Sequence, residues 1–355
     1  MNPTMGESPA AGREHQWEAR YQRAAFLVMV AFFAVAPFMI YPQFVMQALC
    51  FALFAAAFNL LIGFGGLLSF GHAMFFGMSA YFCAYLAKSG VNLETLTIFK
   101  QSIPLGIKVA PIPPLLAIVA AVAGTTLLGL VAGLLAIKRQ GIYFAMITLA
   151  LAQMVYFFCL QVPFTGGEDG IQAVPRGTIL GVVDLKNNTA MYYFVLAVFI
   201  AGFLMIHRVI HSPFGQVLKA IRENEARAIS LGYRTERYKL AAFVLSAALA
   251  GLAGATKALV FQNASLTDVQ WQMSGEVVLM TLVGGMGTVF GPVVGAFVII
   301  AMQFYLADLG GWVTITQGVI FVVCVLAFRG GIMGELEAWL RKRLPASAAG
   351  SKKQP

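Results

Sequence analysis

The sequence predicts an all-α integral membrane protein, a bundle of about ten transmembrane helices with eight as the lower bound. Of its 355 residues, 59% are hydrophobic and only 11% are charged, whereas about 25% of the residues of a soluble domain carry charge. The apolar stretches run continuously for about 20 residues, the length of helix that crosses a bilayer. They do not alternate apolar with polar residues, as the strands of a membrane barrel do. These observations exclude a water-soluble enzyme.

Nine apolar blocks follow one another along the chain, and the eighth is too long for a single crossing. Its 33 residues, 276–308, would form a helix of about 50 Å. The run from Gly284 to Pro292 interrupts it, because glycine and proline both weaken a continuous helix. Dividing the block there gives ten crossings and leaves open whether residues 276–291 are re-entrant. The nine blocks are 24–41, 44–64, 66–87, 114–137, 141–161, 190–208, 240–262, 276–308 and 312–328.

Basic residues mark one side of the membrane. Four polar segments hold 18 basic and 8 acidic side chains, and the rest of the chain holds 6 and 7. These segments are 1–23, Lys138-Arg139, 208–240 and the residues from Arg329 onward. The positive-inside rule places them in the cytoplasm, so we expect both termini there and an even number of crossings. The net charge of +9 therefore reports topology and does not indicate a nucleic-acid partner.

The same pattern gives the domain organisation. Residues 1–23 are expected to form a cytoplasmic N-terminal tail, and residues 24–328 the transmembrane domain with its cytoplasmic loop 208–240. Residues 329–355 are expected to form a basic cytoplasmic C-terminal tail. The four cysteines lie in apolar stretches without metal-ligand spacing, so we expect small buried side chains and neither a disulfide framework nor a metal site.

A second glycine-rich interruption lies at 63–72, between the second and third blocks. Both interruptions share a Gly-Gly-x-x-Ser/Thr pattern. Paired glycine-broken segments in the two halves of a transporter indicate a central pathway, and the alternative is that the glycines allow close helix packing. The candidate pathway residues are Asn59, Gly65, Gly66, Ser69, His72, Gly284, Gly285 and Gly287.

Three polar residues within the apolar blocks have two interpretations each. His72 is either functional or a neutral imidazole that bridges helices, and Asn59 either bridges helices or faces the pathway. Lys257 lies near the outer end of its block, where we expect its long side chain to reach back to the membrane surface.

The loop 211–240 predicts an amphipathic cytoplasmic helix. Ser212-Pro213 is a helix start signal, residues 214–231 contain no proline, and Gly232 is a stop signal. Apolar residues fall along one side at helical spacing and charged residues occupy the rest. The helix is suited to a protein partner or to the headgroup layer of the membrane; the acidic residues Glu223 and Glu225 favour the protein.

Five motifs in order resemble those of the LivM-type permease subunits of branched-chain amino acid ABC importers. The first is the Gly-Gly-Leu-Leu-Ser-Phe-Gly-His run within 59–81, and the most extensive is the loop motif within 216–255. The other three lie at 141–145, 165–170 and 284–295, so that the resemblance covers about residues 44–330. Against the broader permease pattern of Glu-Ala-Ala followed by glycine, this chain has Glu225-Ala226-Arg227 and a glycine at 232.

The resemblance implies a multi-pass subunit of an importer in the bacterial cytoplasmic membrane. Its partners would be a homologous LivH-like permease, two cytoplasmic ATP-binding subunits and an extracytoplasmic substrate-binding protein, with membrane lipid around them. The chain lacks the G-x-x-x-x-G-K-[ST] motif, so we expect it to be no enzyme, to hold no cofactor and to leave ATP hydrolysis to its partners. The residues expected to couple to the ATPase are Arg222, Glu223, Asn224, Glu225 and Gly232. Those expected to dock the binding protein are Thr165, Gly166, Gly167, Glu168 and Asp169.

Other functions stay open at this point. Related permeases carry urea, amides or aromatic acids, and the sequence does not distinguish these cargoes from branched-chain amino acids. An ion-coupled secondary transporter would need carboxylates inside its spans, but here Asp and Glu lie in loops or at span ends. A channel would need a selectivity ring and would have no use for an amphipathic cytoplasmic helix.

Overall fold

The computed structural model describes residues 9–89, 91–98, 101–109, 112–179, 183–307, 310, 312–327 and 330–343. It confirms an all-α multi-pass membrane protein. The α-helices of the described residues are α1 (Pro9–Met39), α2 (Pro42–Asn59), α3 (His72–Ser89), α4 (Pro114–Ala136), α5 (Ile142–Gln161), α6 (Asn188–His211), α7 (Pro213–Glu223), α8 (Glu225–Ser230), α9 (Thr235–Phe261), α10 (Trp271–Gly284), α11 (Gly291–Tyr305), α12 (Trp312–Ala327) and α13 (Gly331–Arg343).

Short strands occur only between helices in the part of the chain that the structure describes. β1 (Val91–Ile98) and β2 (Gln101–Val109) form an antiparallel hairpin between α3 and α4. The other two pairs are also antiparallel. β3 (Ile171–Gln172) pairs with β6 (Asn263–Ala264), and β4 (Thr178–Ile179) pairs with β5 (Val183–Asp184).

Five helical segments of the described residues are long and apolar enough to cross a membrane. They are α4, α5, α6, α9 and the segment Pro42–Phe64, in which a π-helical turn (Leu60–Phe64) continues α2. Shorter apolar helices lie at Ala24–Met39, Gly291–Tyr305 and Ile315–Cys324. The predicted interruption of the eighth block is confirmed, because α10 ends at Gly284 and α11 begins at Gly291. With 14 residues, α10 extends only about 21 Å, less than the bilayer core.

The core forms around α2 and α9, the most buried of the long apolar helices. α9 packs against α2, α3 and α4, and glycine allows the closest approach. A Cβ at Gly254 of α9 would lie 1.9 Å from the carbonyl oxygen of Phe76 in α3, so the two backbones touch. Lipid tails are as apolar as the side chains, so membrane helices gain little by burying apolar surface against one another. They pack closely through such small residues instead.

The structure corrects the expected single helix at 214–231. The chain forms two helices, α7 and α8, separated at Asn224, whose φ of −154° is extended. The side chain of Asn224 accepts a hydrogen bond from the N–H of Arg227 at 3.0 Å and so caps α8. Asparagine favours helix starts over helix interiors because its side chain competes for backbone amides.

Helical structure also extends beyond the expected transmembrane boundaries. α1 begins at Pro9, within the expected tail 1–23, and α13 lies within the expected tail 329–355. Residues 1–8 and 344–355 of these tails lie outside the described residues. The third apolar block starts as an unwound segment, and α3 begins only at His72.

Candidate functional site

The two glycine-rich interruptions meet, and Asn59 joins them. The side-chain amide of Asn59, at the end of α2, donates to the carbonyl oxygen of Thr288 at 2.8 Å. The carbonyl oxygen of the same side chain accepts from the N–H of Gly287 at 2.9 Å. Asn59 therefore bridges the end of α2 to the loop between α10 and α11.

Glycine is required where these segments cross. A Cβ at Gly63 would lie 2.1 Å from Asn59 Oδ1 and 2.8 Å from the nitrogen of Gly287, distances that real Cβ atoms do not show. Gly285 and Gly287 have φ values of +120° and +82°, which favour glycine. We call the group Asn59, Gly63, Gly285, Gly287 and Thr288 the glycine junction.

Arg222 ties α7 to the glycine junction. Its Nη1 donates a hydrogen bond to the carbonyl oxygen of Gly63. Its stem passes Gly66, where a Cβ would lie 3.0 Å from Arg222 Cγ, and Gly66 has a φ of +69°. A Cβ at Gly287 would lie 3.2 Å from Nη1. The loop 208–240 is thus hydrogen-bonded to one interruption and in close contact with the other.

Glu225 forms a link within the loop. Its carboxylate pairs with the ammonium of Lys239 in α9 at 2.6 Å, and the Glu225 side chain remains 23% exposed. The other residues expected to couple to an ATPase, Glu223, Asn224 and Gly232, are exposed. Gly232 has a φ of +87° and open space around it, so its conformation, not its size, calls for glycine.

Exposed apolar side chains lie at the end of α8 and directly after it. Ile229, Leu231 and Tyr233 are all exposed, and Leu231 is 70% exposed. We use the name docking surface for these three residues together with the exposed Glu223 and Arg227. An apolar patch with charged neighbours is typical of a protein interface.

Two cavities lie beside the unwound segment 66–71. A polar cavity of about 210 Å³ is lined by Arg222, Glu225 and Lys239 among others. An apolar cavity of about 450 Å³ lies between the unwound segment and α5. Gly66, Leu67 and Gly141 line both cavities. Of the sequence-predicted pathway residues, Gly65 and Gly66 line a cavity.

Three further predicted pathway residues, His72, Ser69 and Gly284, are packed in the core. His72 is fully buried, and its Nε2 lies 2.9 Å from Ser246 Oγ in α9. Ser246 Oγ in turn donates to the carbonyl oxygen of Ala57. These contacts are those of a residue that bridges helices. Ser69 is also buried, and a Cβ at Gly284 would lie 1.9 Å from the carbonyl oxygen of Gly291, so Gly284 serves close packing.

The structure contradicts the expected surface position of Lys257. Its side chain is 11% exposed, and its ammonium lies 2.6 Å from a carboxylate oxygen of Asp268, whose side chain is 4% exposed. Asp268 lies in a 3-10 turn that packs on α3, where a Cβ at Gly77 would lie 2.3 Å from Val269 Cγ2. Sequence reasoning missed this pair because Asp268 stands outside the apolar block that contains Lys257.

The turn expected to dock a binding protein lies at the opposite end of α5 from Gly141. Gly166 and Gly167 have φ values of +77° and +62°, as expected for a tight glycine turn. Thr165 is buried, whereas Glu168 and Asp169 are exposed. The turn therefore presents two carboxylates on a fixed backbone.

Arg176 fastens the loop between α5 and α6 to α9. Its guanidinium donates to the carbonyl oxygens of Leu259 at 3.3 Å and Val260 at 2.7 Å, and to Asn188 Oδ1 at 2.8 Å. Two of these acceptors are free carbonyls at the end of the helix, a position that favours a cation. Burial lowers the pKa of Arg176 below its usual value.

All four cysteines are free thiols. Among the described residues no group of three or more His, Cys, Asp or Glu side chains could hold a metal ion.

Comparison with known proteins finds membrane transport subunits. The family model described as "Branched-chain amino acid transport system / permease component" matches residues 40–328. The high-affinity branched-chain amino acid transport system permease protein LivM of Escherichia coli K12 is 26% identical over 329 residues, covering 85% of this chain and 72% of that protein. The probable LivM permease of Methanocaldococcus jannaschii is 25% identical over 265 residues, covering 71% and 72%. The autoinducer 2 import system permease protein LsrC of Salmonella typhi is 28% identical over 229 residues, covering 62% and 65%. No solved structure matches.

Proposed function

Because the chain belongs to the family of branched-chain amino acid transport system permease components, we propose that it carries a branched-chain or similar small amino acid inward as part of an ATP-driven importer. The observation that carries this proposal is the hydrogen bond from Arg222 of α7 to Gly63 of the glycine junction. It supplies a direct connection between a cytoplasmic surface and the interruptions of the membrane helices. Related permeases include some that are named for autoinducer 2 import, so the uptake experiment below tests the cargo directly.

The positions of two basic segments in the structure are compatible with the topology proposed from the sequence. Gln140, next to Lys138-Arg139, lines the same cavity as Arg222 and Lys239, so two of the basic segments lie at one end of the bundle. The positive-inside rule assigns that end to the cytoplasm of a bacterium and places both termini there. The turn that carries Glu168 and Asp169 then faces outward, where an extracytoplasmic binding protein would dock.

The proposed mechanism is conformational. Two ATP-binding subunits engage the importer, one of them on the docking surface of this chain, and nucleotide-driven closure displaces α7. Arg222 transmits the displacement to Gly63, and Asn59 carries it to the loop before α11. A homologous permease subunit would cover the exposed apolar faces of α4 and α5 and complete the pathway between the two chains.

The experiment that tests the function is reconstitution into liposomes. With its permease, ATP-binding and substrate-binding partners, the chain is expected to support uptake of radiolabelled leucine only when ATP is present on the cytoplasmic side. Omitting the ATP-binding subunits is expected to abolish uptake. Leucine uptake by this chain alone in response to a proton or sodium gradient would contradict the proposal.

We expect Leu231→Asp to weaken binding of the ATP-binding subunits by tenfold or more, because it places a charge at the centre of an apolar contact. Leu231→Met, which keeps the apolar surface, is the matched control. Co-purification and the ATPase activity of the complex measure the effect, and membrane insertion should be normal in both variants. Equal binding by Leu231→Asp and the wild type would remove the docking surface from the proposal.

A further inference from the structure

We infer that the polar and apolar cavities beside residues 66–71 form one binding site, which holds an aliphatic amino acid at the cytoplasmic exit of the pathway. This inference rests on the importer function proposed above. It assigns to the chain a cargo site that is separate from the external binding protein.

The two cavities share three lining residues, two of which are glycines. Gly66, Leu67 and Gly141 line both of them, and the two glycines carry no side chain that could form a wall between them. Both have positive φ, at +69° and +61°, and a Cβ at Gly141 would meet no atom within 4 Å. A small ligand can therefore extend from one cavity into the other.

The polar cavity has groups for both ends of a zwitterion. The guanidinium of Arg222 has five N–H donors, and the hydrogen bond to Gly63 is made by Nη1 alone, so donors remain for a carboxylate. Glu225 keeps 23% of its side chain exposed beside Lys239 and can accept from an ammonium group. Arg222 and Lys239 would attract a phosphate group as well, but an amino acid also supplies an ammonium group for Glu225, which an anionic lipid headgroup without an amine does not.

The apolar cavity suits a branched aliphatic side chain. Leu68, Phe70, Met146 and Leu149 contribute to its lining, and its volume of about 450 Å³ exceeds that of a leucine side chain. Met146 and Ile142 are exposed on α5 in this chain. In the complete importer the partner permease would close this side, as proposed for the α5 face.

Equilibrium binding of L-leucine to the purified complex, without the external binding protein and without ATP, tests the site. 4-Methylpentanoate lacks the ammonium group and 3-methylbutylamine lacks the carboxylate, and each is expected to bind at least tenfold more weakly than leucine. Arg222→Gln should weaken the binding of leucine at least tenfold without affecting the binding of 3-methylbutylamine. Met146→Trp, which fills the apolar cavity from an exposed position, should weaken the binding of all three compounds.

Two matched variants control for general effects. Arg208→Gln removes an exposed arginine that does not line the site, and Met154→Trp enlarges an exposed methionine on the same helix two turns beyond it. Both should bind leucine as the wild type does. Leucine binding that is unchanged in Arg222→Gln and Met146→Trp, or absent from the wild type, would overturn the inference. So would dioleoylphosphatidylglycerol displacing leucine from the wild type in competition.

The outcomes separate this inference from the importer function. If uptake is driven by ATP but neither cavity variant changes leucine binding, the importer function stands and the exit site is contradicted. If the reconstituted system shows no ATP-driven uptake but both variants weaken leucine binding, the site stands and the importer mechanism is contradicted.

Discussion

Replacing Gly63 with alanine is expected to reduce ATP-driven uptake at least tenfold and to destabilise the complex. The new Cβ would lie 2.1 Å from Asn59 Oδ1 and 2.8 Å from the nitrogen of Gly287. Asn59 must then move and release the N–H of Gly287 and the carbonyl of Thr288. Each partly buried backbone group left without a partner costs about 1–3 kcal/mol.

Gly65→Ala is the matched control for this experiment. A Cβ at Gly65 has its nearest neighbour at 3.9 Å, and Gly65 has an ordinary φ of −95°. Its thermal unfolding temperature should therefore match that of the wild type, while that of Gly63→Ala falls. If Gly63→Ala unfolds and transports like the wild type, the two interruptions can move apart at the glycine junction without loss of stability or transport.

Asn59→Leu separates the steric effect from the hydrogen bonds. It removes the bridge between the two interruptions and adds no atom to Gly63. If the junction transmits movement from α7, uptake should fall while ATP hydrolysis by the bound partners continues, so that more ATP is consumed per amino acid moved. A proportional loss of uptake and hydrolysis would instead indicate a purely structural role.

The sequence predicted those features of the fold that depend on neighbouring residues. The break at Gly284 to Pro292 follows from the backbone properties of glycine and proline, and the start of α7 at Ser212-Pro213 follows from helix capping. The break at Asn224 was missed because the apolar spacing from Val217 to Leu231 fits one helix as well as two. The extended backbone of Asn224 and its capping bond to Arg227 distinguish the two cases.

The contacts of the site could not be predicted from local sequence. Arg222 and Gly63 are 159 residues apart, and Asn59 and Thr288 are 229 residues apart. The helical pattern places Arg222 on the charged side of α7, but it does not reveal that this side faces the glycine junction. Periodicity identifies the buried face of a helix, whereas the partner of a charged side chain depends on the packing of other helices.

Lys257 illustrates the same limit and leads to the second large effect. A lysine near the end of an apolar helix can extend to the surface or pair with a buried carboxylate, and hydropathy does not distinguish these cases.

Lys257→Met is expected to destabilise the protein by about 3–5 kcal/mol, because it leaves the carboxylate of Asp268 buried without a counter-charge. Lys186→Met, at an exposed lysine, should change stability by about 0.5 kcal/mol or less.

The double variant Lys257→Met/Asp268→Asn should recover most of the lost stability. Removing both charges leaves no buried charge without a partner. The amide oxygen of the new asparagine can still accept the hydrogen bond that the N–H of Ser265 donates to Asp268 at 3.5 Å. Asp268 cannot reach water easily by local movement, because the adjoining Val269 packs directly on Gly77 of α3. Thermal unfolding of the two single variants and the double variant measures the coupling between the charges. Equal destabilisation in Lys257→Met and the double variant would show that the lysine stem, and not its charge, holds the C-terminal end of α9 to the turn before α10.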